Sequence, residues 1–453
     1  MNQLLTRLAP ARQDGEPFGI TSVCSAHPTV IRAALRRAKD NGRQVLIEAT
    51  CNQVNQFGGY TGMTPADFIA FVRGIAGEEG LDGSRILFGG DHLGPNPWKG
   101  EPAEAAMANS EVLVRDYVLA GFSKIHLDTS MACAGEPTNL GDRIIAERAV
   151  RLTAVAEQTA LANGLVPPVY VLGTEVPVPG GADHALDSVV PTSAADARAT
   201  IDVHRGVFEQ AGLAEAFTRV IAFVVQPGVE FGNANVIAYR PEAASALSAV
   251  LGDVPQFVFE AHSTDYQTVE VLSALVRDGY PILKVGPGLT FAYREALYGL
   301  DLIATELVAD YGDRPLARAM ENIMLDDPAH WRGHYHGDDQ ALRIQRHYSY
   351  SDRIRYYWGK SEAVEAVARL LAALRGVVIP ETLLRQFLPS TSLSGEEGAD
   401  PEQFLLEAVD VVLATYDQAC GHQPRAALKR DRREASAAVA SSISILEKYL
   451  IVQ

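Results

Sequence analysis

Four cysteines in 453 residues, Cys24, Cys51, Cys133 and Cys420, are too few and too scattered for a disulfide framework, and none has the C-x-x-C spacing of a structural zinc site. Reduced thiols in a cytoplasm are the expectation. No apolar run approaches the length of a membrane span, and Met1 to Pro10 holds no apolar core of signal-peptide length. Basic charge is also short: 39 Lys and Arg stand against 56 Asp and Glu, a net charge of -17. That balance argues against nucleic acid or an anionic membrane as partner, since both need a basic face. A phosphorylated small molecule stays compatible, because a few backbone N–H groups and one or two cations can hold it. Gly359-Lys-Ser361 imitates the end of a nucleotide-binding loop but lacks that motif's first glycine and the strand before it, so no kinase-type nucleotide site is visible.

What is present is a folded composition, 47% hydrophobic and 21% charged. Short apolar runs that end in polar or glycine residues recur at Gly19 to Cys24, Gln44 to Glu48, Ile86 to Phe88, Lys124 to Asp128, Pro168 to Gly173, Val220 to Val225, Phe257 to Phe259 and Pro281 to Val285. Between them lie stretches with apolar residues every three or four positions, such as Pro28 to Asn41, Thr64 to Glu79 and Asp142 to Asn163. Eight strands alternating with helices predict a (β/α)8 barrel over residues 1–290, with a doubly wound open sheet as the rival. Residues 291–453 show no such series. They read as a helical extension packed on the barrel, including a helix over Ala426 to Leu450 and an aromatic, basic segment around His330 to Trp358.

A barrel of this kind places its active site at the C-terminal ends of the strands, so the polar residues there are the candidates. Glu48 and Asn52 follow the second strand, Asp91 and His92 the third, Asp128 the fourth, Glu175 the fifth, Gln226 the sixth, His262 to Asp265 the seventh, and Lys284 and Gly286 the eighth. Asp91 offers a general base and His92 a neutral nitrogen ligand. Two histidines, carboxylates and an amide, from strands three, five, six and seven, make a candidate divalent-metal shell. Ser263, Thr264 and Asp265 open a helix and Gly286 follows Lys284, a combination able to hold a phosphate where barrels commonly hold one. Arg353 and Arg355 could reach that phosphate, although packing is the more usual role of such an aromatic segment.

The longer motifs add a resemblance. Ile47-Glu-Ala-Thr-Cys-Asn-Gln-Val-Asn-Gln-Phe-Gly-Gly-Tyr60, Gly89-Gly-Asp-His-Leu-Gly-Pro-Asn96, Gly173-Thr-Glu-Val-Pro-Val-Pro-Gly-Gly181, Phe259-Glu-Ala-His-Ser-Thr-Asp-Tyr-Gln267 and Ser349-Tyr-Ser-Asp-Arg-Ile-Arg-Tyr-Tyr-Trp358 closely resemble the family described as the non-catalytic subunit of class II tagatose-bisphosphate aldolase. The family is also labelled tagatose-6-phosphate kinase, and it includes tagatose-6-phosphate 4-epimerases. Its likeness to the zinc-dependent class II aldolases implies that Asp91 is the acid/base at the C4 hydroxyl, that His92 and His262 are metal ligands, and that Glu175 lies near the metal. Gln226 then stands in the place of a third histidine. Zinc is the implied ion, with Mn2+ or Mg2+ as alternatives, and Asp128 or Glu175 would shuttle protons or orient ligands. The implied reaction is inversion at C4 of tagatose 6-phosphate, giving fructose 6-phosphate, by C3–C4 cleavage and re-addition. The implied alternative is an accessory subunit that stabilises a class II aldolase partner. The aromatic extension also makes a homo-oligomer an expectation.

Overall fold

The computed structural model describes residues 3–173, 188–393, 395 and 400–421. Eight parallel strands close into a barrel: β1 (Ile20–Cys24), β2 (Val45–Thr50), β3 (Ile86–Leu93), β4 (Lys124–Leu127), β5 (Val169–Gly173), β6 (Val220–Val224), β7 (Val258–Ala261) and β8 (Ile282–Val285). Closure is the pairing of β1 with β8, where Ile20 lies opposite Ile282. The eight helices that follow the strands are α1 (Pro28–Asn41), α2 (Pro65–Glu79), α3 (Ala103–Ala120), α4 (Asp142–Ala162), α5 (Ala194–Gln210), α6 (Pro241–Asp253), α7 (Val269–Arg277) and α8 (Pro287–Leu307). The predicted barrel is therefore present, and its eighth helix runs on to Leu307. A two-residue hairpin, Glu230–Phe231 with Val236–Ile237, was not read from sequence.

Local chemistry explains the boundaries. At the start of α2, Thr64 and Asp67 form a reciprocal capping box ahead of Pro65, and at its end Gly80 takes the left-handed conformation at φ 67°. The strands divide along their length. At the N-terminal end, Leu46, Leu87, Val171, Ala222, Val258 and Ile282 form an apolar plug with Leu5 and Leu8 of the chain's first residues. Toward the C-terminal end the buried positions turn ionic, with Glu48, Lys124, Glu260 and Lys284.

After α8 the described chain adds α9 (Pro315–Asp326), α10 (Asp339–Tyr348), α11 (Ser361–Leu374), α12 (Glu381–Phe387) and α13 (Glu402–Ala419), joined by turns and irregular segments. The helix expected over Ala426 to Leu450 lies outside the described residues. Among the described residues no helix is long and apolar enough to cross a membrane.

Helix α13 packs on α1, α7, α8 and β1. The Gly19 N–H donates to the Cys420 carbonyl at 3.1 Å, and Arg37 of α1 pairs with Asp410 at 2.9 Å and Asp417 at 2.6 Å. A Cβ on Gly19 would come within 2.7 Å of Cys420 Sγ, so only glycine admits this contact. Leu405, Leu406, Val409, Leu413 and Tyr416 are buried in the same core as Ile31 and Leu35. At about 2 kcal/mol per buried side chain, these five contribute on the order of 10 kcal/mol, as much as a typical domain's net stability.

A chain ended before Glu402 is therefore expected to lose its cooperative thermal transition, followed by near-UV circular dichroism. A truncated protein melting in one transition within about 5 °C of the full chain would contradict this.

Candidate metal centre and active site

Strand β3 runs past Phe88, where the apolar run ends, through Gly89, Gly90, Asp91 and His92 to Leu93, with a register irregularity against β4 between Gly90 and Leu93. His92 sits there at φ 50°, a left-handed conformation that non-glycine residues rarely hold unless their surroundings impose it. The tight fit shows at its neighbours. A Cβ on Gly94 would lie 1.8 Å from the Asp128 carbonyl oxygen, and one on Gly89 would lie 2.4 Å from Glu48 Oε1.

Three imidazoles meet at this point. The ring centroids of His92, His126 and His262 are 4.9, 4.9 and 5.2 Å apart, and all three rings are buried. Each has one nitrogen against a carboxylate: His92 Nδ1 to Asp128 Oδ2 at 3.2 Å, His126 Nδ1 to Asp91 Oδ1 at 2.9 Å, and His262 Nε2 to Glu260 Oε1 at 2.9 Å. An N–H directed at each carboxylate puts the lone pair on the opposite nitrogen, the arrangement that orients histidines for a metal. The His92 backbone N–H also lies 3.2 Å from His126 Nδ1, but a lone pair there would face the ionised Asp91 oxygen, so the tautomer follows the carboxylate. His126 Nε2 is buried with no hydrogen-bond partner. Ligand atoms of Asp91, His92, His126 and His262 all lie within 4.8 Å of one another.

Below the histidines lies a salt-bridge lattice. Lys124 Nζ is 2.7 Å from Glu48 and 2.8 Å from Glu260, while Lys284 Nζ contacts Glu48 and lies 2.6 Å from Asp91 Oδ1. Burial alone would raise the Asp91 carboxyl, but His92, Lys284 and His126 pull it well below the usual carboxylate range. Burial likewise opposes ionisation of Asp128, yet His92 and His126 bring it down to about 2. Cys24 Sγ lies 3.1 Å from Asp91 Oδ2, and burial followed by that carboxylate pushes the thiol well up, so it stays protonated. Four carboxylates and two ammoniums leave two net negative charges when the histidines are neutral. A divalent cation among the imidazoles would cancel them, so the residues present fit such an ion.

The strand ends open into a cavity of about 960 Å3. Of the expected site residues, Asn52, Asp91, His92, His262, Ser263, Asp265, Lys284 and Gly286 line it. Glu48 and Asp128 lie beneath the lining, on Lys284 and His92 respectively. Thr264 is buried, donating to the Lys284 carbonyl and meeting the Tyr416 hydroxyl at 3.1 Å. Glu175 lies outside the described residues. Gln226 Oε1 accepts the backbone N–H groups of Gly228 at 2.8 Å and Val229 at 3.0 Å, and the imidazole that joins His92 and His262 is His126 of β4. Arg353 Nη1 donates to the His330 carbonyl at 3.1 Å, while Arg355 lines the cavity.

The phosphate cradle expected at β8 is also changed. Asp265 Oδ1 accepts the N–H of Gly286 at 3.0 Å and of Gly288 at 2.7 Å, so the groups that would receive a phosphate already hold a carboxylate. Sequence reading passed over Lys124, His126 and Glu260. At the mouth, Tyr60 from the loop after β2 meets Tyr356 edge to face at 4.8 Å.

Fold and cluster together define a (β/α)8 barrel with a carboxylate-buttressed three-histidine site at its C-terminal face. The chain belongs to the D-tagatose-1,6-bisphosphate aldolase subunit GatZ/KbaZ-like family, whose pattern matches residues 5–421. It is 65% identical over 421 residues to a D-tagatose 6-phosphate 4-epimerase of Agrobacterium fabrum (strain C58 / ATCC 33970), covering 93% of this chain and 99% of that protein. A crystal structure described as a probable tagatose 6 phosphate kinase from Sinorhizobium meliloti 1021 is 53% identical and superposes with a TM-score of 0.81 over 89% of this chain and 100% of that one. A fructose-bisphosphate aldolase from Campylobacter jejuni, at 13% identity and a TM-score of 0.42, with 82% of this chain and 93% of that one covered, is too distant to carry an argument.

Burial pushes the Asp265 carboxyl up to about 6, against the pull of the Gly288 and Gly286 N–H groups. A folded pKa above the unfolded one gives stability that is fully present below the unfolded value, near 4, and lost as pH rises through 6. Keeping Asp265 ionised at pH 8 then costs about 3 kcal/mol. Asp265→Asn should melt higher than the native protein at pH 8, with the gain roughly halved at pH 5; a gain that is absent or that grows toward pH 5 would contradict the assignment.

Proposed function

We propose that this chain is a metal-dependent C4-epimerase that interconverts D-tagatose 6-phosphate and D-fructose 6-phosphate. The observation that carries the reading is the three-histidine cluster with Asp91 beside it, each imidazole buttressed by its own carboxylate. The name of the 65% identical relative supports the substrate. Three imidazoles favour zinc over Mg2+ as the ion; His92, His126 and His262 would hold it, and when bound it supplies Lewis-acid polarisation of the sugar's carbonyl.

Asp91 takes the proton of the C4 hydroxyl as the C3–C4 bond breaks and returns it when the bond re-forms on the other face of the aldehyde. Lys284, 2.6 Å from Asp91 Oδ1, keeps that carboxylate ionised and fixed. Asp128 and Glu260 act as positioning residues through His92 and His262. Walls formed by Tyr60, Tyr356 and Trp358 hold the aldehyde fragment, and the cavity leaves it room to turn.

The family description favours a second reading, an accessory subunit of an aldolase. A scaffold would not need a buried ionic layer, whose desolvation is costly. A kinase reading has less support: Lys360 pairs with Asp327 at 2.7 Å, and Ser361 begins α11 with no strand before it.

Asp91→Asn in the zinc-loaded protein is expected to lower kcat for tagatose 6-phosphate by about a thousandfold with metal content unchanged, measured by coupled detection of fructose 6-phosphate. A native, metal-loaded chain that turns over nothing but raises the activity of a co-expressed aldolase would replace this reading with the accessory one.

A further inference from the structure

We propose that Arg355, supplied by the helical extension, is the residue that binds the phosphate group of the substrate. The identity of the ligand rests on the ketose-phosphate reading above; the location rests on which half-buried cation facing the cavity has no carboxylate hydrogen-bonded to it.

Among the described residues, the cationic side chains lining the cavity, apart from histidines, are Lys284, Arg355, Lys360 and Arg375. Lys284 is committed to Glu48 and Asp91 in the floor. Lys360 is paired with Asp327, and Arg375 is solvent-exposed at the end of α11. Arg355 differs from all three. It is half-buried, its Nη1 donates to the carbonyls of Ser351 and Asp352, its Nη2 donates to the Tyr356 hydroxyl at 2.9 Å, and its Cζ lies 4.5 Å from the Tyr356 ring centroid.

The hydrogen-bond partners of Arg355 are thus all neutral, while Asp352 and Asp265 act on it only through the field between them. The nearest buried acid on its own segment, Asp352, is engaged by Arg294 at 3.0 Å and by Thr290 at 2.7 Å. A guanidinium fixed by backbone carbonyls at a cavity wall, with no carboxylate hydrogen-bonded to it, is a pre-oriented anion receptor.

The alternative location fails on independent grounds. The N–H groups of Gly286 and Gly288 are occupied by Asp265, whose carboxylate would repel a phosphate there. The anion is thus bound by the extension's side of the cavity and not by the strand-eight N–H groups. The extension then decides which sugars are accepted, because it supplies the group that distinguishes a phosphorylated ketose from a free one.

The test is isothermal titration calorimetry of the zinc-loaded full chain with inorganic phosphate and with fructose 6-phosphate, for the native protein, Arg355→Met and Arg355→Lys. Thermal melts serve as a check on folding. Loss of the fork is expected to weaken both ligands about 30-fold in Arg355→Met and less in Arg355→Lys. Native-like binding of both ligands by Arg355→Met overturns the proposal, as does a native protein that binds neither. If Arg355→Met fails to fold, Arg355→Lys decides: native affinity in that variant overturns it, and a weakened affinity supports it. A native chain that binds phosphate through Arg355 yet interconverts no sugar phosphate would leave this assignment standing and remove the epimerase reading. An active chain whose Arg355→Met variant keeps its affinity would do the reverse.

Discussion

The structure depends on a layer of buried charge that the barrel cannot hold neutral on its own. Glu48, Glu260 and Asp91 face Lys124 and Lys284, and Asp128 faces His92, in a region almost closed to water. Ions there are tolerated only when paired and hydrogen-bonded, since each would otherwise lose several kcal/mol of hydration. The lattice gives every carboxylate a cation or an imidazole nitrogen, although Lys124 Nζ, Glu48 Oε1 and Glu260 Oε2 are ion-paired without a hydrogen bond. With the imidazoles neutral, as a bound metal requires, two negative charges remain, and they lie where three imidazoles converge. Glycine at position 89 leaves the space that the Glu48 carboxylate fills, and the left-handed backbone at His92 belongs to the same arrangement.

The same constraint gives the helical extension its part. A barrel with an ionic upper interior has less apolar area to hold it together, and α13 adds an apolar seam across α1, α7 and α8. Tyr416 on that seam donates to the Thr264 carbonyl at 2.7 Å, beside the residues that line the cavity. The preceding segment returns to the mouth and places His330, Arg355, Tyr356 and Trp358 in its wall. Stability of the barrel and completion of the site are thus tasks of one stretch of chain.

Much of this was legible in the sequence, and what was missed has identifiable causes. Strands buried on both faces read as short apolar runs, which is why eight could be counted and the barrel expected. Asp91, His92 and His262 stood out because each follows an apolar run. His126 did not, because it lies inside β4 between Ile125 and Leu127. The signal was the two-residue period of Lys124, His126 and Asp128, a polar face on a buried strand. Gln226 was carried into the ligand shell by strand order, whereas the loop's own backbone uses its amide. Asp265 was grouped with phosphate-binding residues for its position at a helix start, yet a carboxylate satisfies those N–H groups itself. Arg353 and Arg355 are two residues apart in a single 3-10 turn, and no pattern in the sequence separates the buried one from the one at the cavity.

The central claim is that the uncompensated charge marks a divalent-metal site held by the three histidines. Anomalous diffraction at the zinc edge, from crystals of the protein grown with zinc, tests it most directly. The account predicts one strong peak among His92, His126 and His262, with Asp128, Asp91 and Glu260 still bonded to the outer nitrogens. An empty cluster, or a zinc ion bound only elsewhere on the chain, would contradict it.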